Sequence, residues 1–328
     1  MNKLLVFLVS KALIAFGIVL AVAYSAACVF LFVAQGKFIF FPARAIETTP
    51  DDFQLKYQDV WLPIPTKTGA VDSVHGWWIP ASENPPSPPL AKGEARKGES
   101  FLATPQSDKR AISAVPALNK GGLGRVVLYL HGNASNVGAN VEHAYRFHRL
   151  GLSVFVMDYR GYGKSQGDFP SESQVYEDAQ LAWDYLVKQR GINPNQIYIY
   201  GHSLGGAIAI DLAVRHPEAA GLIVEGSFTS TRAMVNFQKG LFWMFPIDFL
   251  LTQRFDSLSK VDRLQMPVLF IHGNADNVVP VEMSKKMFEA APEPKQLYIV
   301  PEGGHTNVAQ IGGAEYLQIL SQFLGSSK

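Results

Sequence analysis

Ile197-Tyr-Ile-Tyr-Gly-His-Ser-Leu-Gly-Gly206 is the stretch that decides the fold. The run Ile197–Tyr200 is apolar, β-branched and aromatic, and it leads straight into Gly201-His202-Ser203-Leu204-Gly205. A helix-forming stretch, Ala207 to Arg215, follows. A G-x-S-x-G pentapeptide needs this strand–turn–helix context if its serine is to be a nucleophile. Glycines on either side let the chain turn more sharply than a Cβ would allow, so the serine oxygen stands clear of the sheet edge.

Working outward, strand and helix signals alternate from Arg125 to the end. Val126–Leu130, Val154–Met157, Ile197–Tyr200, Leu222–Val224, Val268–Ile271 and Leu297–Val300 are short apolar runs of strand type. Helical periodicity appears near Val141–Arg149, Glu172–Lys188, Ala207–Arg215, Val281–Ala290 and Gly313–Leu324. Two earlier strands are expected at Tyr57–Leu62 and Val74–Ile79. Such alternation predicts an α/β fold, a mostly parallel sheet with helices on both faces, and catalytic groups on loops at the carboxyl ends of the strands.

Serine attacks only when a base takes its proton, and the base needs a third group to fix its tautomer. After the strand Val268–Ile271 comes His272-Gly-Asn-Ala-Asp276, and after Leu297–Val300 comes Pro301-Glu-Gly-Gly-His305. Ser203, Asp276 and His305 therefore follow the chain order Ser, acid, His on successive strand-end loops. Glu225, at the end of Leu222–Val224, is a rival acid. The oxyanion donors expected are the N–H of Leu204 and an N–H of the loop His131-Gly-Asn-Ala-Ser135, with Asn133 the first choice and Ala134 the second. The other histidines read as bland. His131 and His272 each precede a glycine at a strand end, where a turn-stabilising hydrogen bond is expected, and His202 is the variable position of the pentapeptide. His143 and His148 are five apart, the wrong spacing for a zinc-binding helix face. No metal site or cofactor is expected. Gly161-Tyr-Gly-Lys-Ser165 resembles a phosphate-loop tail, but the motif's first glycine would fall at Asp158; Gly121-Gly-Leu-Gly124 opens no helix.

The 328 residues, 48% hydrophobic, suffice for one large domain with additions. A net charge of +1 gives no reason to expect a nucleic-acid partner. The single cysteine, Cys28, excludes an intrachain disulfide. Ala12 to Ala34 is free of charge for 23 residues and follows Lys3 and Lys11, which suits a membrane-spanning helix. A signal peptide cleaved near Ser25-Ala26-Ala27, and lipidation of Cys28, are the competing readings, opposed by the apolar Val29–Val33 beyond the candidate site. Basic residues flank both ends, so orientation in the membrane stays open. Phe38-Ile-Phe-Phe-Pro42 is an aromatic run suited to a membrane interface. Residues 82–124, rich in proline and mixed charge, read as a disordered low-complexity insertion between two strands.

Together Phe40-Phe-Pro42, His131-Gly-Asn-Ala134, Asp158-Tyr-Arg-Gly-Tyr-Gly-Lys-Ser165, Gly201–Gly206, Glu225–Ser230, Arg254–Ser257, His272–Asp276 and Gly303-Gly-His305 resemble the α/β-hydrolase superfamily. Within it, the chain is most similar to the single-pass, membrane-anchored α/β-hydrolase domain-containing proteins. The resemblance implies a serine hydrolase; related animal proteins remove fatty acyl groups from protein cysteines. Those relatives carry an N-terminal cysteine cluster where this chain has only Cys28, and Thr306-Asn307 stands where Asn-Asp is familiar. The expected organisation is an anchor over 1–36 and a hydrolase domain over 37–328, with a cap region at 228–262. The cap's apolar Gly240–Leu251 segment could line an acyl pocket, lie on the bilayer, or simply pack on the sheet. The expected partners are a small-molecule or acylated substrate and the lipid bilayer, in a serine esterase or thioesterase; a peptidase or a non-catalytic membrane scaffold are the alternatives. Nothing in the sequence sets the oligomeric state.

Overall fold

The computed structural model describes residues 3–65, 69, 71–82, 124–238 and 240–326. The stretch read as a low-complexity insertion, 82–124, lies outside them apart from its two end residues. Eight strands form one sheet: β1 (Gln58–Pro65), β2 (Val71–Ile79), β3 (Val126–Leu130), β4 (Ser153–Met157), β5 (Ile197–His202), β6 (Gly221–Glu225), β7 (Val268–Gly273) and β8 (Lys295–Val300). Their order is β1-β2-β4-β3-β5-β6-β7-β8. From β4 to β8 every pairing is parallel, and β1 and β2 add an antiparallel edge. All eight expected strands are present, and β3 to β7 are buried on both faces, which is why they read as unbroken apolar runs.

The main helices, in chain order, are α1 (Lys3–Ala34), α2 (Val141–Arg149), α3 (Glu172–Asp184), α4 (Leu204–Arg215), α5 (Thr231–Phe237), α6 (Ile247–Leu250), α7 (Val281–Ala290) and α8 (Val308–Ser326). Side chains alternate across the sheet and feed two cores. Leu128, Leu130 and Ile199 pack with α3, α4 and α7, while Val127, Tyr129, Tyr198 and Tyr200 pack with α2 and α8. The helix expected over Glu172–Lys188 is α-helical only to Asp184, where a π turn, Tyr185–Gln189, takes over. Helix α8 starts earlier than its periodicity indicates and kinks at Gly313, whose φ of 49° lies in the left-handed region that favours a residue without a Cβ.

Helix α1 is long and apolar enough to cross a membrane, and its side chains from Leu5 onward are largely exposed. Beyond it the chain turns through Gly36–Ile39, and Gln35 before that turn is hydrogen-bonded to the backbone of Leu250, Thr252 and Gln253. The aromatic run there is divided. Phe40 is buried against Phe169 and Phe255, whereas Phe38 and Phe41 stay exposed. The sequence expected the whole run at a membrane surface; an extended backbone after Ile39 instead sends Phe40 inward, opposite to its neighbour Phe41.

Candidate active site

Because β3, β5, β7 and β8 are parallel, their carboxyl ends share one edge of the sheet, and the loops that leave them converge. The register puts Leu130 beside Gly201 and Gly273 beside Val300. Ser203 stands between β5 and α4 with φ 55° and ψ −119°, a conformation costing a non-glycine residue on the order of 1–3 kcal/mol. The neighbours that allow it are specific. A Cβ on Gly201 would sit 2.2 Å from the Gly205 carbonyl oxygen, and one on Gly205 would sit 2.1 Å from that of Leu130. The strained turn is clamped from three sides: Ser203 N–H donates to Glu225 O (2.9 Å), while Ser203 O accepts from Gly206 N–H (2.9 Å) and Ser227 Oγ (2.8 Å).

His305 Nε2 lies 3.0 Å from Ser203 Oγ, and His305 Nδ1 lies 2.7 Å from Asp276 Oδ2. A carboxylate only accepts, so the proton belongs on Nδ1, which leaves Nε2 to accept from the serine hydroxyl. Asp276 has no exposed side-chain surface, and its other oxygen accepts from Val278 N–H and Val279 N–H, both at 2.8 Å. Burial raises its pKa, but hydrogen bonds from His272, His305 and the Val279 N–H outweigh that and hold the carboxyl well below its usual range. The rival acid is placed elsewhere: Glu225 Oε2 accepts from Tyr316 Oη at 2.6 Å, in the core beneath the site.

The loop after β3 is riveted beside the serine. Tyr159 Oη donates to His131 O (3.0 Å), Tyr162 Oη donates to Asn133 O (2.7 Å), and Asn133 Nδ2 donates to Ile39 O (2.8 Å). Phe41 N–H also donates to Asn133 O, which ties this loop to the segment that leaves α1. Leu204 opens α4, so its N–H is one of the amides a helix leaves without an internal acceptor. Asn133, Ala134, Leu204, Ser203 and His305 all face one cavity of about 510 Å³. His131 makes the expected turn bond, Nδ1 to Gly132 O at 2.7 Å. Two histidines do more than their sequence positions indicated. His272 reaches both Val279 O (2.9 Å) and Asp276 Oδ2 (3.2 Å) through Nε2, so it buttresses the Asp276 carboxylate. His202 Nε2 donates to the backbone carbonyl of His305 at 2.9 Å and holds that loop against the turn. Burial keeps His202 below its ordinary pKa, with Glu225 opposing and His305 adding to the shift. No local pattern announces this contact, which spans about a hundred residues of sequence.

The cavity wall is apolar, built by Phe38, Ile39 and Phe41, by Met234 and Val235 of α5, and by Phe242, Ile247, Leu250 and Leu251 of the cap. Leu31 and Gln35 contribute from the end of the N-terminal helix. Neither contribution from that helix was foreseen. The arrangement unites a strained serine, an imidazole positioned to take its proton, and amides at a helix start. That combination suits attack on a carbonyl carbon.

A family model described as serine aminopeptidase S33 matches residues 123–255 and 248–309, more than half of the chain. The chain belongs to this α/β-hydrolase family. An uncharacterized protein of Mycobacterium tuberculosis is 37% identical over 206 residues, 62% of this chain and 71% of its own length. Alpha/beta hydrolase domain-containing protein 17B from Homo sapiens is 34% identical over 202 residues, 60% of this chain and 65% of that protein. An esterase of Pyrococcus furiosus superposes with a TM-score of 0.60 at 20% identity, over 87% of this chain and 97% of that one. At that identity the likeness establishes the fold, and with it the α/β-hydrolase architecture expected from the turn around Ser203.

Proposed function

We propose that this hydrolase is a membrane-anchored serine esterase or thioesterase that works through an acyl-enzyme. The observation that carries the reading is the chain of contacts Ser203 Oγ–His305 Nε2–Asp276, at 3.0 and 2.7 Å, opening into an apolar cavity. Ser203 attacks the acyl carbon as His305 Nε2 takes its proton; Asp276 holds the imidazole in the tautomer that can do so. The N–H groups of Leu204 and Asn133 receive the oxyanion as it forms. His305 then protonates the departing alcohol or thiol, and a water activated by the same imidazole releases the acid. Helix α1 holds the enzyme on the bilayer.

The family description raises an aminopeptidase as the second candidate. Binding a substrate's free ammonium requires an anionic side chain near the scissile bond. Among the described residues that line the cavity none is Asp or Glu, and apolar side chains predominate. The lining therefore favours an uncharged acyl chain over a peptide amino terminus. About 510 Å³ falls within the ~300–1,000 Å³ of ordinary ligand pockets.

The test is covalent labelling with a fluorophosphonate probe, wild type beside Ser203→Ala. We expect labelling of the wild type and loss of essentially all of it in the variant. A folded wild type that resists the probe would overturn the reading in favour of a non-catalytic membrane protein. Esters of increasing acyl length then test the cavity, with specificity expected to rise with chain length; a preference for acetyl esters or for amino-terminal amides would refute the acyl assignment.

A further inference from the structure

We propose that the cap segment Gly240–Leu251 is embedded in the bilayer leaflet beside α1, and that the cavity receives its acyl chain directly from that leaflet. The inference rests on the membrane-anchored reading above, and four observations carry it.

The cap docks on the flank of the spanning helix, well before that helix ends. Tyr24 Oη donates to Met244 O at 2.9 Å, and the Tyr24 ring stacks on Phe245 with centroids 5.5 Å apart. Tyr24 is ten residues before Ala34, the last residue of α1, so at 1.5 Å per residue the contact lies roughly 15 Å back along the axis. A hydrocarbon layer is about 30 Å thick. If Ala12 to Ala34 spans it, Met244 and Phe245 lie within the leaflet rather than above it.

A second clip fixes the cap near the helix end. Gln35 Oε1 accepts from Thr252 N–H (2.8 Å) and Gln253 N–H (3.0 Å), and its Nε2 donates to Leu250 O (3.2 Å). Backbone groups that close to hydrocarbon need internal partners, and this one side chain provides three.

The outward face of the cap has the composition of a lipid contact. Leu241 is 72% exposed, Trp243 82% and Phe249 87%. The exposed side chains of α1 continue the same apolar surface, so one occupant, lipid hydrocarbon, covers both. Asp248 is the only charged residue of the segment, and Arg232 Nε pairs with it at 2.6 Å.

Finally, the wall between the leaflet and Ser203 is made of these same elements. Leu31 and Gln35 of the helix end meet Phe242 and Leu250 of the cap around the cavity. A chain passing between them goes from hydrocarbon to the serine without crossing water. The substrate class is then an amphiphile resident in the membrane, with its ester or thioester at the interface and its acyl tail in the leaflet.

Depth quenching tests the embedding without requiring turnover. Trp243→Cys and Phe249→Cys, each in a Cys28→Ala background, are labelled with an environment-sensitive fluorophore in the full chain reconstituted into phosphatidylcholine vesicles. We expect strong quenching by lipids carrying a nitroxide on the acyl chain and weak quenching by aqueous iodide. Strong iodide quenching, or protection from both quenchers as another protein surface would give, overturns the proposal. A kinetic arm tests the route with Trp243→Glu and Phe249→Glu. Hydrolysis of a water-soluble short-chain ester should stay within twofold of wild type, while hydrolysis of a vesicle-borne long-chain ester should fall at least tenfold. Parallel loss on both substrates, or no loss on either, refutes leaflet access. Failure of the quenching arm with fluorophosphonate labelling intact would remove the embedding and leave the esterase reading standing.

Discussion

His202 occupies the elbow position that the pentapeptide pattern leaves free, yet its ring fixes the loop that carries His305 through one hydrogen bond to a backbone carbonyl. Its effect on chemistry is indirect, by position. Misplacing a reacting group by about 1 Å costs on the order of 10²-fold in rate. His202→Ala should therefore slow fluorophosphonate labelling by about 10- to 100-fold with little change in Tm, and His202→Gln, which keeps a donor, should recover part of the loss. An unchanged labelling rate in His202→Ala would show that the loop holds itself. Asp276 makes a different prediction, in stability against pH. Its folded pKa lies below the unfolded value of about 3.9, so its contribution is fully present above that pH and is lost as pH falls through the folded pKa. Denaturant titrations should find Asp276→Asn less stable than wild type at pH 7, with the gap closing progressively below about pH 4. A gap independent of pH would mean that the carboxylate charge is not what stabilises this loop.

Among the elements, those built from local periodicity were legible and those built from distant contacts were not. Strand β3 and helices α2 and α7 begin and end where their apolar patterns do. Asp276 and His305 could be singled out because each follows a recognisable strand, and of the two carboxylates weighed it is Asp276 that reaches His305, while Glu225 meets Tyr316. The docking of the N-terminal helix on the cap left no such trace. Gln35 and Thr252 are separated by more than two hundred residues, and a lone glutamine after an apolar run carries no signal of what it will bond. Its importance is testable at the scale of the element. Removing the side chain takes the acceptor from the Thr252 and Gln253 amides, at about 0.5–1.5 kcal/mol for each hydrogen bond lost. Gln35→Ala should thus speed hydrogen exchange at those two amides about tenfold or more, while amides of β5 and β6 keep their protection. Equal exchange in variant and wild type would mean that the cap is held by its apolar contacts alone.

For the molecule as a whole, sheet topology makes a prediction about the stretch of sequence that reads as least ordered. Ile79 pairs with Val154 and Val126 pairs with Ser153, so the end of β2 and the start of β3 flank the same end of β4. They are two strand spacings apart, about 9.6 Å at ~4.8 Å per strand. A few extended residues at ~3.3 Å each bridge that gap, so the 46 residues joining β2 to β3 far exceed what the fold requires. Replacing residues 84–122 with a six-residue Gly/Ser linker shortens the connection roughly threefold, which lowers the loop-closure cost by about 1 kcal/mol. The gap also lies at the amino-terminal edge of β3 and β4, whereas Ser203, Asp276 and His305 lie beyond the carboxyl ends of the strands. The shortened protein should consequently melt no lower than wild type, with Tm unchanged or up by about 2–4 °C, and label at Ser203 within twofold of its rate. Loss of labelling with Tm preserved would carry the opposite lesson, that a segment leaving the sheet at its far edge reaches round to the active-site side.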